Sequence, residues 1–173
     1  MDIIKYFENV PLSDKNVLDL VNGRANIVLY QDLHKYDNID QVLGPYGATF
    51  LLYEFKPKYG HWVALFKRTP KVIEYFDSYG NVPDEVLDHI PIKYQKLLHQ
   101  DYPYLSKLLY ESPYNIEYNE HHFQKLDKNI RTCGRFAGLR ILFRHFTLNK
   151  FAQIFDNPYS DKLATYFTMW VNN

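Results

Sequence analysis

Three side chains in this sequence are of the types that together make a thiol nucleophile: Cys133, His61 and Asp77. A thiolate attacks an acyl carbon. An imidazolium stabilises the thiolate and later protonates the leaving amine. A carboxylate orients the ring and sets its tautomer. Cys133 is the only cysteine, and a lone cysteine is more often a small buried hydrophobe than a catalyst. Its placement argues otherwise. Thr132-Cys133-Gly134-Arg135-Phe136 opens a helix that the spacing of Phe136, Leu139, Phe143 and Phe146 carries on to Phe146. Thr132 stands at the N-cap position and Cys133 in the first turn. There, unpaired backbone N–H groups and the helix dipole favour an anion, so the thiol pKa should fall. The tetrahedral oxyanion then needs donors. The Cys133 backbone N–H is one, and a side-chain amide would be the second. Gln124 is the nearest glutamine upstream, and taken alone it reads as a surface residue.

These groups must be brought together by a hairpin. His61–Lys67 and Lys71–Asp77 read as strands, with Arg68-Thr69-Pro70 as a three-residue loop between them. That register pairs Lys67 with Lys71, Phe66 with Val72 and, at its end, His61 with Asp77. Opposed residues share a face with Cβ atoms about 4.5–5.5 Å apart. A loop one residue longer would turn Asp77 to the other face. An aspartate before Ser-Tyr-Gly is also a good turn former, and a histidine after Gly60 is often a surface residue. The coincidence of a matched pair with a helix-start cysteine is what favours catalysis.

Around the hairpin, Ala48–Phe55 reads as a buried strand, and Asn26–Tyr30 and Asn115–Tyr118 as shorter ones. Ser13 caps a short helix over Asn16–Val21, ended by Asn22-Gly23. Asn38–Leu43 is a helical turn stopped by Gly44-Pro45. Asp84–Ile90 and Tyr104–Tyr110 are helical pieces, and a last helix runs over about Asp161–Val171 with Ser160 as its cap. Strands in the middle and helices around them make the class α+β: a central, mainly antiparallel sheet flanked by helices, in a single domain spanning residues 1–173. The arginines and lysine of the cysteine helix and its continuation (Arg131, Arg135, Arg140, Arg144, Lys150) read as its solvated face.

The chain has 173 residues with 20 basic and 20 acidic side chains, 16 tyrosines and 12 phenylalanines. Balanced charge gives no global field for nucleic acid or membrane. A single cysteine excludes an intrachain disulfide and a cysteine-rich zinc site. His121, His122 and Cys133 could be read as metal ligands, but adjacent histidines on a strand point to opposite faces. No metal or other cofactor is expected. The first residues do not resemble a secretory signal, and no apolar run reaches membrane-spanning length, so a soluble protein of a reducing compartment is expected.

Gly60-His61-Trp62-Val63, Phe76-Asp77-Ser78-Tyr79-Gly80, Gln124 and Thr132-Cys133-Gly134-Arg135 together resemble the adenovirus-protease type of cysteine peptidase. That group includes SUMO-deconjugating proteases and viral capsid-maturation proteases. The order His, acid, Gln, Cys is the group's, and the wording is most similar to virophage and Polinton-type maturation proteases. The resemblance covers roughly residues 38–147. It implies a thiol endopeptidase with His61, Asp77, Gln124 and Cys133 in its site. The implied substrates are extended peptide segments of capsid or other precursors, cut next to small residues such as glycine. The implied location is the virion and the host cytoplasm. The adenoviral member uses DNA and a peptide as cofactors; charge here gives DNA no support. The glutamine usually lies six or seven residues before the cysteine, whereas Gln124 lies nine before. Either Lys125–Arg131 holds an insertion, or the second donor is Asn129 or the Trp62 indole N–H. A ubiquitin- or SUMO-like deconjugase and a silent binding module of the same fold are the competing readings.

Overall fold

The computed structural model describes residues 2–172. Five strands form one sheet in chain order: β1 (Asn26–Leu29), β2 (Ala48–Lys56), β3 (Tyr59–Thr69), β4 (Val72–Phe76) and β5 (Asn115–Tyr118). The β2–β3 and β3–β4 pairs are antiparallel, while β1 and β5 join the edges in parallel. β3 is buried without interruption from His61 to Phe66, as a strand covered on both faces must be. Its alternate side chains feed two cores. Trp62, Ala64 and Phe66 face one apolar cluster with Phe50, Phe76, Phe123 and Phe136. Val63 and Leu65 face another with Leu51, Tyr53, Ile73 and Tyr75.

Eight α-helices are assigned among the described residues: α1 (Ile3–Glu8), α2 (Asp14–Leu20), α3 (Ile39–Leu43), α4 (Ile92–Leu97), α5 (Tyr104–Tyr110), α6 (Cys133–Leu142), α7 (Leu148–Phe155) and α8 (Ser160–Thr168). Short 3-10 segments lie at Tyr30–Lys35, Glu85–His89 and Met169–Asn172. α2, α6, α7 and α8 cover the Trp62 face. α3, α5 and the Glu85–His89 turn cover the other. Ser13 caps α2 through a reciprocal box with Asn16, one bond 3.2 Å long and its return 3.1 Å, the arrangement that satisfies two orphan N–H donors at once. Among the described residues no helix is long and apolar enough to cross a membrane.

Four expectations change. The hairpin turns on Pro70-Lys71 with Thr69 facing Val72, and a bulge at Arg68 resets the ladder so that Phe66 faces Glu74 and Ala64 faces Phe76. His61 and Asp77 are thus offset by two residues, not directly opposed. An even offset keeps them on one face, and their side chains still meet. Second, α6 stops at Leu142. Phe143 stacks back on Phe146 with ring centroids 5.5 Å apart, and the Arg140 guanidinium collects the carbonyls of Phe143 (2.8 Å) and Phe146 (2.9 Å). Third, α6 has almost no solvated face. Gly134 through Ile141 are all buried, and Arg135 and Arg140 are fully so. Arg140 grips Glu74 of β4 with two bonds, of 2.7 and 2.9 Å, and lies 5.2 Å from the ring centres of Phe66 and Phe151. Arg135 donates to Thr168 Oγ1 (3.0 Å), the Phe7 carbonyl (3.1 Å) and Asn172 Oδ1 (2.6 Å). Fourth, α1, α4 and α7 were not expected, and the last helix begins at Ser160 itself, with Tyr159 in the cap position.

Candidate active site

α6 presents Cys133 at its first position and packs against β3. The approach is close because residue 134 is glycine. A Cβ there would sit 3.1 Å from Trp62 Cδ1, 3.2 Å from Leu12 Cβ and 3.2 Å from Val17 Cγ1. Thr132 does not cap the helix. Its hydroxyl donates to Asp161 Oδ1 at 2.6 Å, and among the described residues no side chain caps the first N–H groups of α6. Those free N–H groups are what an anion at the helix start requires.

His61 is buried at the start of β3, beside Asp77 at the end of β4. The two meet at 2.8 Å, Nε2 to Oδ1. Asp77 is fixed on its other sides: Oδ1 accepts from the Tyr79 N–H at 2.8 Å, and Oδ2 accepts from Asn81 Nδ2 at 3.1 Å. The Tyr79 ring stacks on the imidazole, centroids 5.0 Å apart and planes at 25°. With Nε2 engaged, Nδ1 is the nitrogen left for the thiol. Burial alone would push the His61 pKa down. The Asp77 carboxylate and the Cys133 sulfur outweigh it and raise the pKa from 6.5 to about 10. Burial likewise works against ionising Cys133. A hydrogen bond from His61, its charge, and the backbone N–H groups of Trp62 and Gly134 overcome that, and the thiol pKa is lowered. Opposite charges in contact favour each other's ionised form, so the arrangement can hold a thiolate–imidazolium pair.

Gln124 is buried and lines the same cleft as Cys133 and His61. Its Oε1 accepts from Ser78 Oγ at 2.8 Å, and its backbone N–H donates to the Ser78 carbonyl at 3.0 Å. Nε2 donates one bond, 3.3 Å long, to the Ile130 carbonyl, which leaves the second amide hydrogen without a partner among the described residues. Lys125–Arg131 loops outward through a turn closed by Ile130 N–H to the Asp127 carbonyl at 3.0 Å. The nine-residue spacing is absorbed there. The rival donors are placed differently. The Trp62 indole N–H is spent on the Leu12 carbonyl at 3.0 Å, and Asn129 is exposed on the loop. Sequence reasoning missed Ser78 and Asn81; the signal was their place just after Asp77, in a turn closed by Gly80 N–H to the Asp77 carbonyl. His121 and His122 make other contacts, to Asp156 Oδ2 at 2.7 Å and the Tyr79 carbonyl at 2.6 Å. No group of three or more potential metal ligands occurs among the described residues.

The cleft has a volume of about 760 Å³. Leu12, Ile27, Leu29, Leu52 and Phe55 form its apolar wall, and Cys133, His61 and Gln124 stand together on its lining.

No protein-family model matches the chain. It is 46% identical over 175 residues to the uncharacterized protein V9 of Sputnik virophage, a match that covers 98% of this chain and all of that one. Among solved structures it is similar to the ASFV pS273R protease, with 18% identity, a TM-score of 0.47, and coverage of 91% of this chain and 68% of that one. It is also similar to the C-terminal Ulp1 protease domain in complex with Smt3, the yeast orthologue of SUMO. There the identity is 15% and the TM-score 0.35, with 98% and 73% covered.

Proposed function

This chain belongs to the family of the Sputnik virophage protein V9, and we propose that it is a cysteine endopeptidase that cuts viral precursor proteins, capsid proteins among them, during virion maturation. The observation that carries the reading is the His61–Asp77 contact of 2.8 Å behind a helix-start thiol whose pKa is lowered. That set of groups has a defined use in acyl transfer. The virophage relative supports a viral precursor as substrate, and an open cleft with an apolar wall suits an extended peptide.

In this reading a peptide lies along the cleft with its scissile carbonyl over Cys133. The thiolate sulfur attacks the carbonyl carbon and forms the S–C bond, and the carbonyl π pair moves to oxygen. The Cys133 backbone N–H and the free amide hydrogen of Gln124 receive that oxyanion. The tetrahedral adduct collapses, the C–N bond breaks, and the His61 Nδ1 proton goes to the departing amine. Water, deprotonated by the now neutral His61, then attacks the thioester; collapse releases the acid and returns the thiolate and imidazolium. Asp77 holds the ring by Nε2 throughout. No step calls on a cofactor.

The test is covalent labelling with a peptide vinyl sulfone, together with turnover of a panel of precursor-derived peptides and of ubiquitin and SUMO conjugates. Labelling at Cys133 and cleavage of peptides, both abolished by Cys133→Ala with the thermal transition retained, are expected. Cleavage of the conjugates alone would make the enzyme a deconjugase. Failure of wild type to label faster than a free cysteine would make this a binding module.

A further inference from the structure

Gln124 and Cys133 sit at the two ends of a loop that cannot hold them in place by itself. Residues 125–129 are exposed, and Leu126 projects into solvent at 89% exposure. A loop with so few packed side chains opens easily. Yet an oxyanion donor works only if it is held close to its productive geometry.

The ends are held from outside the loop, and both are held by one side chain at the start of α8. Asp161 Oδ2 accepts the Lys125 N–H at 3.1 Å, next to Gln124. Asp161 Oδ1 accepts the Thr132 hydroxyl at 2.6 Å, next to Cys133. The neighbouring Ser160 hydroxyl donates to the Phe123 carbonyl on the other side of Gln124. Asp161 is only 3% exposed and forms no ion pair among the described residues. Burial raises the pKa of its carboxyl. A buried acid outside any ion pair is costly, and what this one gains is a bridge between the donor and the nucleophile.

We propose that Asp161 is a positioning residue that fixes the distance between Gln124 and Cys133 and so compensates for the long loop between them. This rests on the peptidase reading above. It touches neither substrate nor reacting atoms, and it acts through Gln124.

The experiment compares wild type, Gln124→Ala, Asp161→Ala and the double variant on one peptide substrate. It adds the alkylation rate of Cys133 by iodoacetamide and hydrogen exchange at the Lys125 amide by NMR. Asp161→Ala should lower kcat at least about tenfold, approaching Gln124→Ala. KM and alkylation should stay within about twofold, because the thiolate–imidazolium pair is untouched. The double variant should be no slower than Gln124→Ala, since both act on one donor. Exchange at Lys125 should quicken. Asp161→Asn, which keeps one acceptor oxygen, should restore part of the loss. Thr132→Val removes one leg of the bridge and serves if Asp161→Ala does not fold; its loss should be smaller and likewise masked by Gln124→Ala. Unchanged kcat in a folded Asp161 variant, or losses that multiply with Gln124→Ala, would overturn the bridge. A wild type that cleaves nothing, with Lys125 exchange still quickened by Asp161→Ala, would sink the peptidase reading and leave the bridge standing.

Discussion

His61 and Cys133 shift each other's titration, an effect that neither residue type determines alone. His61 titrates at about 10 and Cys133 below its ordinary 9.0. The reactive thiolate therefore exists on the acid side of pH 9, where a free cysteine is mostly protonated. Iodoacetamide alkylation should stay fast as pH falls through neutrality, and His61→Ala should return it to the profile of an ordinary thiol. A profile unchanged by His61→Ala would mean that the ion pair does not form in the free protein. At the second donor, Gln124→Ala should cost about a hundred- to a thousandfold in turnover, and Asn129→Ala almost nothing. The reverse order would hand the oxyanion to Asn129. The placement of Cys133, His61 and Asp77 was legible because residue type and local pattern set it: a helix start, a strand start and a strand end. Ser78 and Asp161 were not. Their contacts reach 46 residues to Gln124 and 29 to Thr132, and a serine after an aspartate or an aspartate in a first helical turn is ordinary on its own.

The β3–β4 hairpin shows how a local feature decides which face a side chain takes. A two-residue turn with no bulge would put Asp77 on the wrong face; the extra residue at Arg68 corrects it. The sequence expectation had the right face with the wrong turn because both registers differ by two residues. At the other end of β3, Gly60 is required by contact: a Cβ there would sit 1.7 Å from the Tyr53 carbonyl oxygen. Gly60→Ala should force β2 and β3 apart beside His61. A loss of about 1–3 kcal/mol in denaturant unfolding and a fall in turnover are expected; a fully active, fully stable variant would show that the strands yield freely. α6 was misread for a different reason. Arginines at helical spacing usually mark a wet face, and here Arg140 is enclosed with Glu74. Arg140→Ala should cost about 3–5 kcal/mol, because it takes both short bonds from a buried carboxylate and leaves it only Arg68, 3.7 Å away. Replacing Arg140 and Glu74 together by apolar residues should cost far less. Equal losses in the two variants would mean that packing, not charge, sets the cost.

Across the whole molecule the site joins two layers, with Cys133 on the helix layer and His61 and Asp77 on the sheet. The composition and strand order made the layers legible, but α1, α4 and α7 were not expected. The junction has a signature in stability. For His61 the folded pKa is raised, so its contribution is complete below pH 6.5 and is lost as pH rises through about 10. For Cys133 the folded pKa is lowered, so its contribution is complete above pH 9.0 and is lost as pH falls through the lowered value. Between 6.5 and 9.0, wherever the thiolate persists, the folded pair holds one proton on the ring and the unfolded pair one on the sulfur. Folding then moves a proton without taking one up, and these two groups give no slope. Cys133→Ala removes that balance, and its stability should decline relative to wild type as pH rises, by up to about 1.4 kcal/mol per pH unit. Parallel pH curves for the two proteins would refute the shared proton. The single thiol has a further use. It gains its low-pH reactivity only once Cys133 has docked against His61, 72 positions away in the sequence, so pulse alkylation in mild acid during refolding would count docked molecules against time. The chain carries its own stopwatch for one long-range step of its assembly.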